Sequence, residues 1–285
     1  MDNTRRGVLS VRRFSIVVPA YNEESSIGSL LQVLGASTIT SVCHVVVVCN
    51  GCTDSTFAIS SSFEDVTTVE SNPGKFHALN VGDQVAGDLY PRLYLDADVK
   101  ISEKSVMELL HALDVAPVRA VGPRLVYDLE GRPFMVRAFY RAQESVPRLL
   151  SWRSEHLAGR GVYGLNRAAR GRFDGFPPLR ADDAFVDRQF KPFEKQTVLS
   201  AEIKVSTPRS VRQLVRNEMR TVVGNRELAQ YFDRPSKEPL SATEGWVTSW
   251  RDPSNLNLVV WLSIEVWVRI RISLKRKATA RLAWR

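Results

Sequence analysis

The chain has 285 residues, 44% apolar and 25% charged, enough to bury a core in one large domain or a domain with an appendage. It has no low-complexity tract and no evident internal repeat, which excludes disorder and repeat architectures. Its net charge of +8 is concentrated in residues 256–285, where seven basic residues face Glu265 alone for a net +6; a chain-wide nucleic-acid surface is excluded and a basic C-terminal device is indicated.

Residues 1–13 read as a basic tail with no apolar h-region, so no secretory signal is expected and a cytoplasmic location is. FSIVVPA (14–20) is an apolar, β-branched run. In the YNEESSIGSLLQVLG that follows, Ile27, Leu30, Leu31 and Leu34 fall at helical spacing before Gly35. Strand, turn and helix then recur. VCHVVVVCN (42–50) predicts a continuous apolar strand, and Cys43, Cys49 and Cys52 there form an odd set without a second ligand pair, the pattern of a reduced compartment. GCTDST is a turn into a short helix ending near residue 62. VTTVES (66–71) is a third strand, NPGKFHALNVGDQVAG (72–87) a turn entering a helix, and RLYLDAD (92–98) a fourth strand.

Farther on, SEKSVMELLHAL (102–113) predicts a helix, AVGPRLVYD (120–128) a strand, and RPFMVRAFYRAQESVPRLL (132–150) a mixed segment. Residues 159–190 then gather glycines, prolines and aspartates, a composition of functional loops. Continuous apolar strands separated by helices predict an α/β fold, with a mostly parallel nucleotide-binding sheet flanked by helices over 14–102. A less regular acceptor-facing half follows over 103–225. Ligands of such sheets collect at the carboxyl ends of the strands, where Tyr21, Asn22, Glu23, Asn50, Asp54, Lys75, Asp96 and Asp98 all fall.

Asp96 and Asp98, in LYLDADVKIS, are two carboxylates one residue apart after an apolar run. Such a pair can hold Mg or Mn through one or two protein oxygens, leaving positions for water and for the phosphates of a nucleotide diphosphate. The metal would take up charge developing on a departing diphosphate, and Lys75 in the turn NPGK is a candidate second cation. Asp182 and Asp183, in RADDAFVDRQF, suit a helix N-terminus; a carboxylate there can also act as general base toward an acceptor hydroxyl, the role assigned to Asp183.

PAYNEE, CNGCTDST, GKFHALN, LDAD and ADDAFVDR, in this order and over residues 14–225, resemble glycosyltransferase family 2, inverting enzymes of the GT-A fold. The resemblance implies donor-nucleotide contacts from the turn Pro19, Ala20, Tyr21, Glu23 and from Asn50 and Asp54. It places Lys75 and Asn80 in the G-K-x-x-A-L-N segment, makes Asp96 and Asp98 the ribose- and metal-binding D-x-D, and makes Asp183 the catalytic base. Asn50 stands where the family more often has Asp, which leaves the donor base open. Asp182 stands for Glu, and RNEMRTVVGN offers Asn217 and Arg220 but no Trp, against a processive polymer-synthase site. Asp182 and Arg220 remain candidates for acceptor or diphosphate contacts.

Residues 226–285 read as a C-terminal extension ending in a basic amphipathic segment, too short and too charged to span a membrane. Two readings stand: a helix on an anionic membrane surface with Trp261 and Trp267 at the interface, or a helix packed on the catalytic domain with a basic solvated end. The function expected is transfer of a sugar from a nucleotide-diphosphate donor to a hydroxyl, on a lipid-linked or cell-envelope glycan, by a protein peripheral on the inner face of the plasma membrane. The alternatives are a nucleotidyltransferase, which would need a glycine-rich basic loop absent from PAYNEESS, and a non-catalytic sugar-nucleotide binder.

Overall fold

A computed structural model describes residues 13–114, 119–232 and 255–282. The basic tail expected over 1–13 lies outside the described residues except for Arg13, as does residue 285. In chain order the elements begin β1 (Phe14–Ala20), α1 (Ile27–Leu34), α2 (Ser37–Thr40), β2 (Cys43–Asn50), α3 (Thr56–Ser61), β3 (Val66–Ser71), α4 (Lys75–Ala86), β4 (Arg92–Leu95), β5 (Lys100–Ile101) and α5 (Glu103–Leu113). They continue with β6 (Ala120–Asp128), α6 (Phe134–Ser145), α7 (Pro147–Glu155), β7 (Val162–Leu165), α8 (Arg167–Arg170), α9 (Asp182–Asp187), β8 (Lys195–Ser206), α10 (Val211–Tyr231) and α11 (Asn255–Leu282).

The described strands form one eight-stranded sheet in the order β3-β2-β1-β4-β7-β6-β8-β5. The first four pair in parallel, with Phe14 opposite Cys43, Val45 opposite Val66 and Ser15 opposite Arg92. β7 runs antiparallel to both β4 and β6. The expected parallel nucleotide-binding sheet is therefore the β3-β2-β1-β4 half, and it puts four strand ends on one edge. All seven residues of β1 are buried, as a strand covered on both faces requires. Helix α4 lies so close over β1 that a Cβ at Gly82 would collide with the Val17 side chain.

The chain divides into two compact units that interleave in sequence. The first takes in the residues up to Leu125 together with Leu157–Pro178 and Arg188–Ile203. A buried polar cluster joins α4 to the starts of β1 and β4. Asp83 of α4 accepts hydrogen bonds from Arg92 (2.5 Å), from the Tyr94 hydroxyl (2.7 Å) and from Arg170 Nε (2.8 Å). Arg92 is fully buried and also donates to Ser15 Oγ (2.8 Å), so its charge is paired inside the protein rather than stranded. Burial, and then the Asp83 carboxylate, pushes the Tyr94 hydroxyl well above its ordinary pKa, so it stays a donor. The cluster ties α4 to the strand that delivers Asp96 and Asp98.

The second unit takes in Val126–His156, Leu179–Asp187 and the chain from Lys204 onward. Its core joins Val136, Phe139 and Ala142 of α6, Leu214 and Val215 of α10, and Leu258, Trp261, Ile264, Val268 and Ile272 of α11. The inner residues of α11 recur every three or four positions, one face of a helix. The strand-like alternation of VRIRISLK is overridden by this packing, and the helix runs on to Leu282. Trp261 is 4% exposed, with Phe139 stacked at 6.4 Å, whereas Trp267 is 42% exposed. The sequence expectation that set both tryptophans at one interface is corrected: six positions on a helix leave them about 120° apart, on different faces. Among the described residues no helix is long and apolar enough to cross a membrane.

Candidate active site

In the first unit the loops after β1, β2 and β3 and the turn after β4 carry the expected donor residues. β1 ends in Pro19 and Ala20, and Tyr21 follows, 57% exposed. Asn22 then adopts φ 54°, a left-handed conformation that asparagine tolerates. Its side-chain oxygen accepts from the Thr53 N–H at 2.8 Å, fastening the first loop to the second.

Asp54 is the hub of that fastening. Its Oδ1 accepts from the Thr56 N–H (3.0 Å) and hydroxyl (2.5 Å), and its Oδ2 from the Glu24 N–H (3.1 Å). The Thr56 hydroxyl oxygen in turn accepts from the Glu23 N–H at 2.7 Å. Burial raises the Asp54 carboxyl, but the bonds from Thr56 and Glu24 outweigh it and hold the group below its ordinary value. Asp54 therefore shapes the two loops, whatever further contact it makes.

Asn50 is 5% exposed and uses both ends of its amide on main chain. Its nitrogen donates to the Ala20 carbonyl (2.7 Å) and its oxygen accepts from the Gly74 N–H (3.3 Å). A carboxylate there would face the Ala20 carbonyl with no proton to give, which explains physically why this chain has Asn. Gly51 follows at φ +76°, with its missing Cβ directed at Pro73; a side chain would be strained and would push the third loop away.

The third loop leads into α4, whose N-terminus no side chain caps, and whose first residue is Lys75. Lys75 Nζ lies 2.6 Å from Asp96 Oδ1, both side chains a little over one third exposed. After Leu95 the chain turns: the Asp96 N–H donates to the Gly161 carbonyl at 2.8 Å, and the Val99 N–H to the Asp96 carbonyl at 3.2 Å. Ala97 points inward at 4% exposure between half-buried Asp96 and exposed Asp98. Both carboxylates thus stand on the open side of the turn. Burial first, and then the charges of Asp98, Asp96 and Asp54, push the Glu23 carboxyl up against the hydrogen bond from Ser26. Four acids share one electrostatic neighbourhood.

Asn80, on α4, bonds main chain. Its nitrogen donates to the Phe176 carbonyl (2.9 Å) and its oxygen accepts from the Phe176 N–H (2.8 Å). It pins the segment around residue 176 to α4.

Asp182, Asp183 and Arg220 belong to the second unit. Helix α9 begins at Asp182, as expected of an acidic helix start. Asp182 is buried, while Asp183 is half-buried with Oδ1 accepting from the Ala184 N–H at 2.7 Å. Phe185 packs against Tyr231 and Phe232 at the end of α10, and Arg180 lies 3.5 Å from Glu227, fixing α9 on that helix. Arg220 is exposed on α10 one turn after Asn217. Sequence reasoning missed His156, whose Nδ1 lies 2.6 Å from the carboxylate of buried Asp187. Asp187 is four residues after Asp183 and so shares its face of α9, a spacing visible in ADDAFVDR; His156 itself left no local signal. Among the described residues no three His, Cys, Asp or Glu side chains converge as a metal cluster.

The family model for glycosyl transferase family 2 matches residues 15–171. No curated protein matches the sequence. Among solved structures, a mannosyltransferase from Pyrobaculum calidifontis, in complex with GDP-mannose and Mn2+, is 19% identical. That alignment covers 96% of this chain and 81% of that one, with a TM-score of 0.61. Glucosyl-3-phosphoglycerate synthase from Mycobacterium tuberculosis, in complex with phosphoglyceric acid, is 18% identical over 80% of this chain and 82% of that one, with a TM-score of 0.56. At these identities the likeness is one of fold, and it agrees with the GT-A architecture expected from the sequence.

Proposed function

Because the chain belongs to glycosyl transferase family 2, and is thus an enzyme of sugar transfer, we propose that it moves a sugar with inversion from a nucleotide-diphosphate donor to an acceptor hydroxyl. The observation that carries this reading is the gathering of Tyr21, Glu23, Asn50, Asp54, Lys75, Asp96 and Asp98 at the ends of four parallel strands. The exposed Tyr21 ring offers a face for a base, and the uncapped start of α4 with Lys75 offers N–H groups and a cation for phosphates.

A divalent cation, Mn or Mg, fits this donor set. Asp96 and Asp98 are hard oxygen ligands that reach solvent from one turn, and a cation held by them would offset the negative charges that, after burial, raise Glu23. Bound there, it would serve as a Lewis acid for the departing diphosphate. Asp183 takes the proton from the acceptor hydroxyl as that oxygen attacks the sugar carbon, and the bond to the diphosphate breaks. His156, oriented by Asp187 one helical turn from Asp183, supports that face of α9. The acceptor is a hydroxyl of a lipid-linked or cell-envelope glycan, reached from the cytoplasmic side of a membrane.

A panel of nucleotide sugars offered with Mn or Mg, followed by mass spectrometry for the freed nucleotide diphosphate, tests this reading. One donor should be consumed slowly without acceptor. Turnover of none, with no nucleotide binding, overturns it.

A further inference from the structure

Helix α11 has two apolar faces, and packing explains only one. Leu258, Trp261, Ile264, Val268 and Ile272 face α6 and α10 in the core of the second unit. On the other side Leu256, Val259, Val266, Trp267, Ile270 and Leu274 are 42–60% exposed. At about 100° per residue these six fall within an arc of about 100°, and from the first to the last they run about 27 Å along the axis. The polar residues exposed with them between 256 and 274 are Ser263, Arg271 and Ser273, none of them acidic. A shallow groove lined by Leu262, Ser263, Val266, Trp267 and Ile270 lies along the same face. A helix face turned to water is ordinarily polar, so an apolar stripe of this length, broken only by Ser263, marks a contact surface.

We infer that this outer face of α11 seats the enzyme in the surface of an anionic lipid bilayer, with the helix axis in the membrane plane. Charge selects the occupant. The Arg271 guanidinium lies over the Trp267 ring at 5.2 Å, a cation beside the aromatic ring suited to the headgroup level. The helix continues through Lys275, Arg276, Lys277 and Arg281, in a segment of net +6. An anionic bilayer attracts such a segment, whereas the same face of a second copy brings no opposite charge to meet it. An amphipathic helix lying in the interface, apolar stripe down and cations among the headgroups, satisfies both features. This deepens the reading of a lipid-linked acceptor and takes its biological purpose from it.

The test uses the full chain and vesicles of phosphatidylcholine, with or without phosphatidylglycerol. The wild type should sediment with the anionic vesicles, and binding should weaken as salt shortens the Debye length from about 10 Å at 0.1 M to about 3 Å at 1 M. Trp267→Glu combined with Ile270→Glu should lower vesicle affinity by at least about tenfold, since each change removes a large apolar side chain from the interface. Both positions are exposed, so the thermal melt and the turnover of a soluble acceptor should be unchanged. Lys275→Glu with Lys277→Glu should cost affinity mainly at low salt. Equal sedimentation of wild type and the Trp267/Ile270 variant overturns the inference. So does a wild type that ignores anionic vesicles, or one that forms a dimer which the variant abolishes while vesicle binding is absent. Loss of soluble-acceptor turnover in the wild type would count against sugar transfer instead, and leaves the vesicle result to stand by itself.

Discussion

The two units hold their candidate site residues by different means. In the first, Tyr21, Glu23, Asn50, Asp54, Lys75, Asp96 and Asp98 sit on loops that parallel strands deliver to one edge, and the loops are tied to each other through Asn22, Asp54, Thr56 and Asn50. In the second, Asp183 rides on a six-residue helix whose position depends on Phe185 against Tyr231 and Phe232 and on a core that α11 completes. A hydrogen-bonded loop network resists local change. A short helix resting on distant packing inherits every weakness of its support.

The largest effect should come from the open side of the β4 turn. Asp98→Ala should abolish metal-dependent nucleotide binding, because Asp96 alone, already paired with Lys75, cannot hold the cation against a diphosphate. Calorimetric titration of nucleotide with and without Mn measures it. Unaltered metal-dependent affinity would remove Asp98 from the site. The exposed side chain should leave the melting curve in place, which separates this loss from unfolding.

The second unit should break through its core instead. Trp261→Ala empties a buried site between α6 and α11 and should cost about 3–5 kcal/mol of stability, read by urea unfolding, while Trp267→Ala on the exposed face stays within about 0.5 kcal/mol. Equal costs would mean that α11 does not pack as described. Asp183→Asn keeps the oxygen that accepts from the Ala184 N–H, so fold and donor affinity should survive while turnover falls roughly a hundredfold or more. Asp182→Asn should lower turnover much less. A larger loss for Asp182 in steady-state rates would assign the base to the other carboxylate.

The smallest effect concerns the loop network itself. Asp54 is held below the ordinary aspartate value of 3.8, so its bonds stabilise the loops above that value and are lost as pH falls through the lowered one. Thr56→Val removes the hydroxyl that bonds Asp54 and takes from the Glu23 N–H its acceptor. The Asp54 titration followed by NMR should then move up toward 3.8. A titration that stays where it was would mean that the Thr56 hydroxyl is not what lowers it.

Much of the first unit was legible because its signals are local. A continuous apolar run makes a two-sided buried strand, and residues that interrupt it mark the loop that follows; β1, β2, β3 and α4 begin and end within a residue or so of the segments marked in the sequence. The strand RLYLDAD stops at Leu95, earlier than expected, because the Asp96 N–H turns away to the Gly161 carbonyl, a partner far along the chain.

The sequence by itself determined the alternating strands β1 to β4 and the helices α1, α3 and α4 between them, the acidic pair after β4, the acidic start of α9 and the helical run at the C-terminal end, since each depends on spacing within a few residues. Only the tertiary structure decided what those side chains face. It tied Asn50 between Ala20 and Gly74, set Asn80 against Phe176, paired His156 with Asp187, and sent Trp261 inward and Trp267 outward. The reason is common to all four. Hydrogen-bond partners and buried faces are supplied by residues remote in sequence, and no periodicity within a segment records which remote surface will meet it.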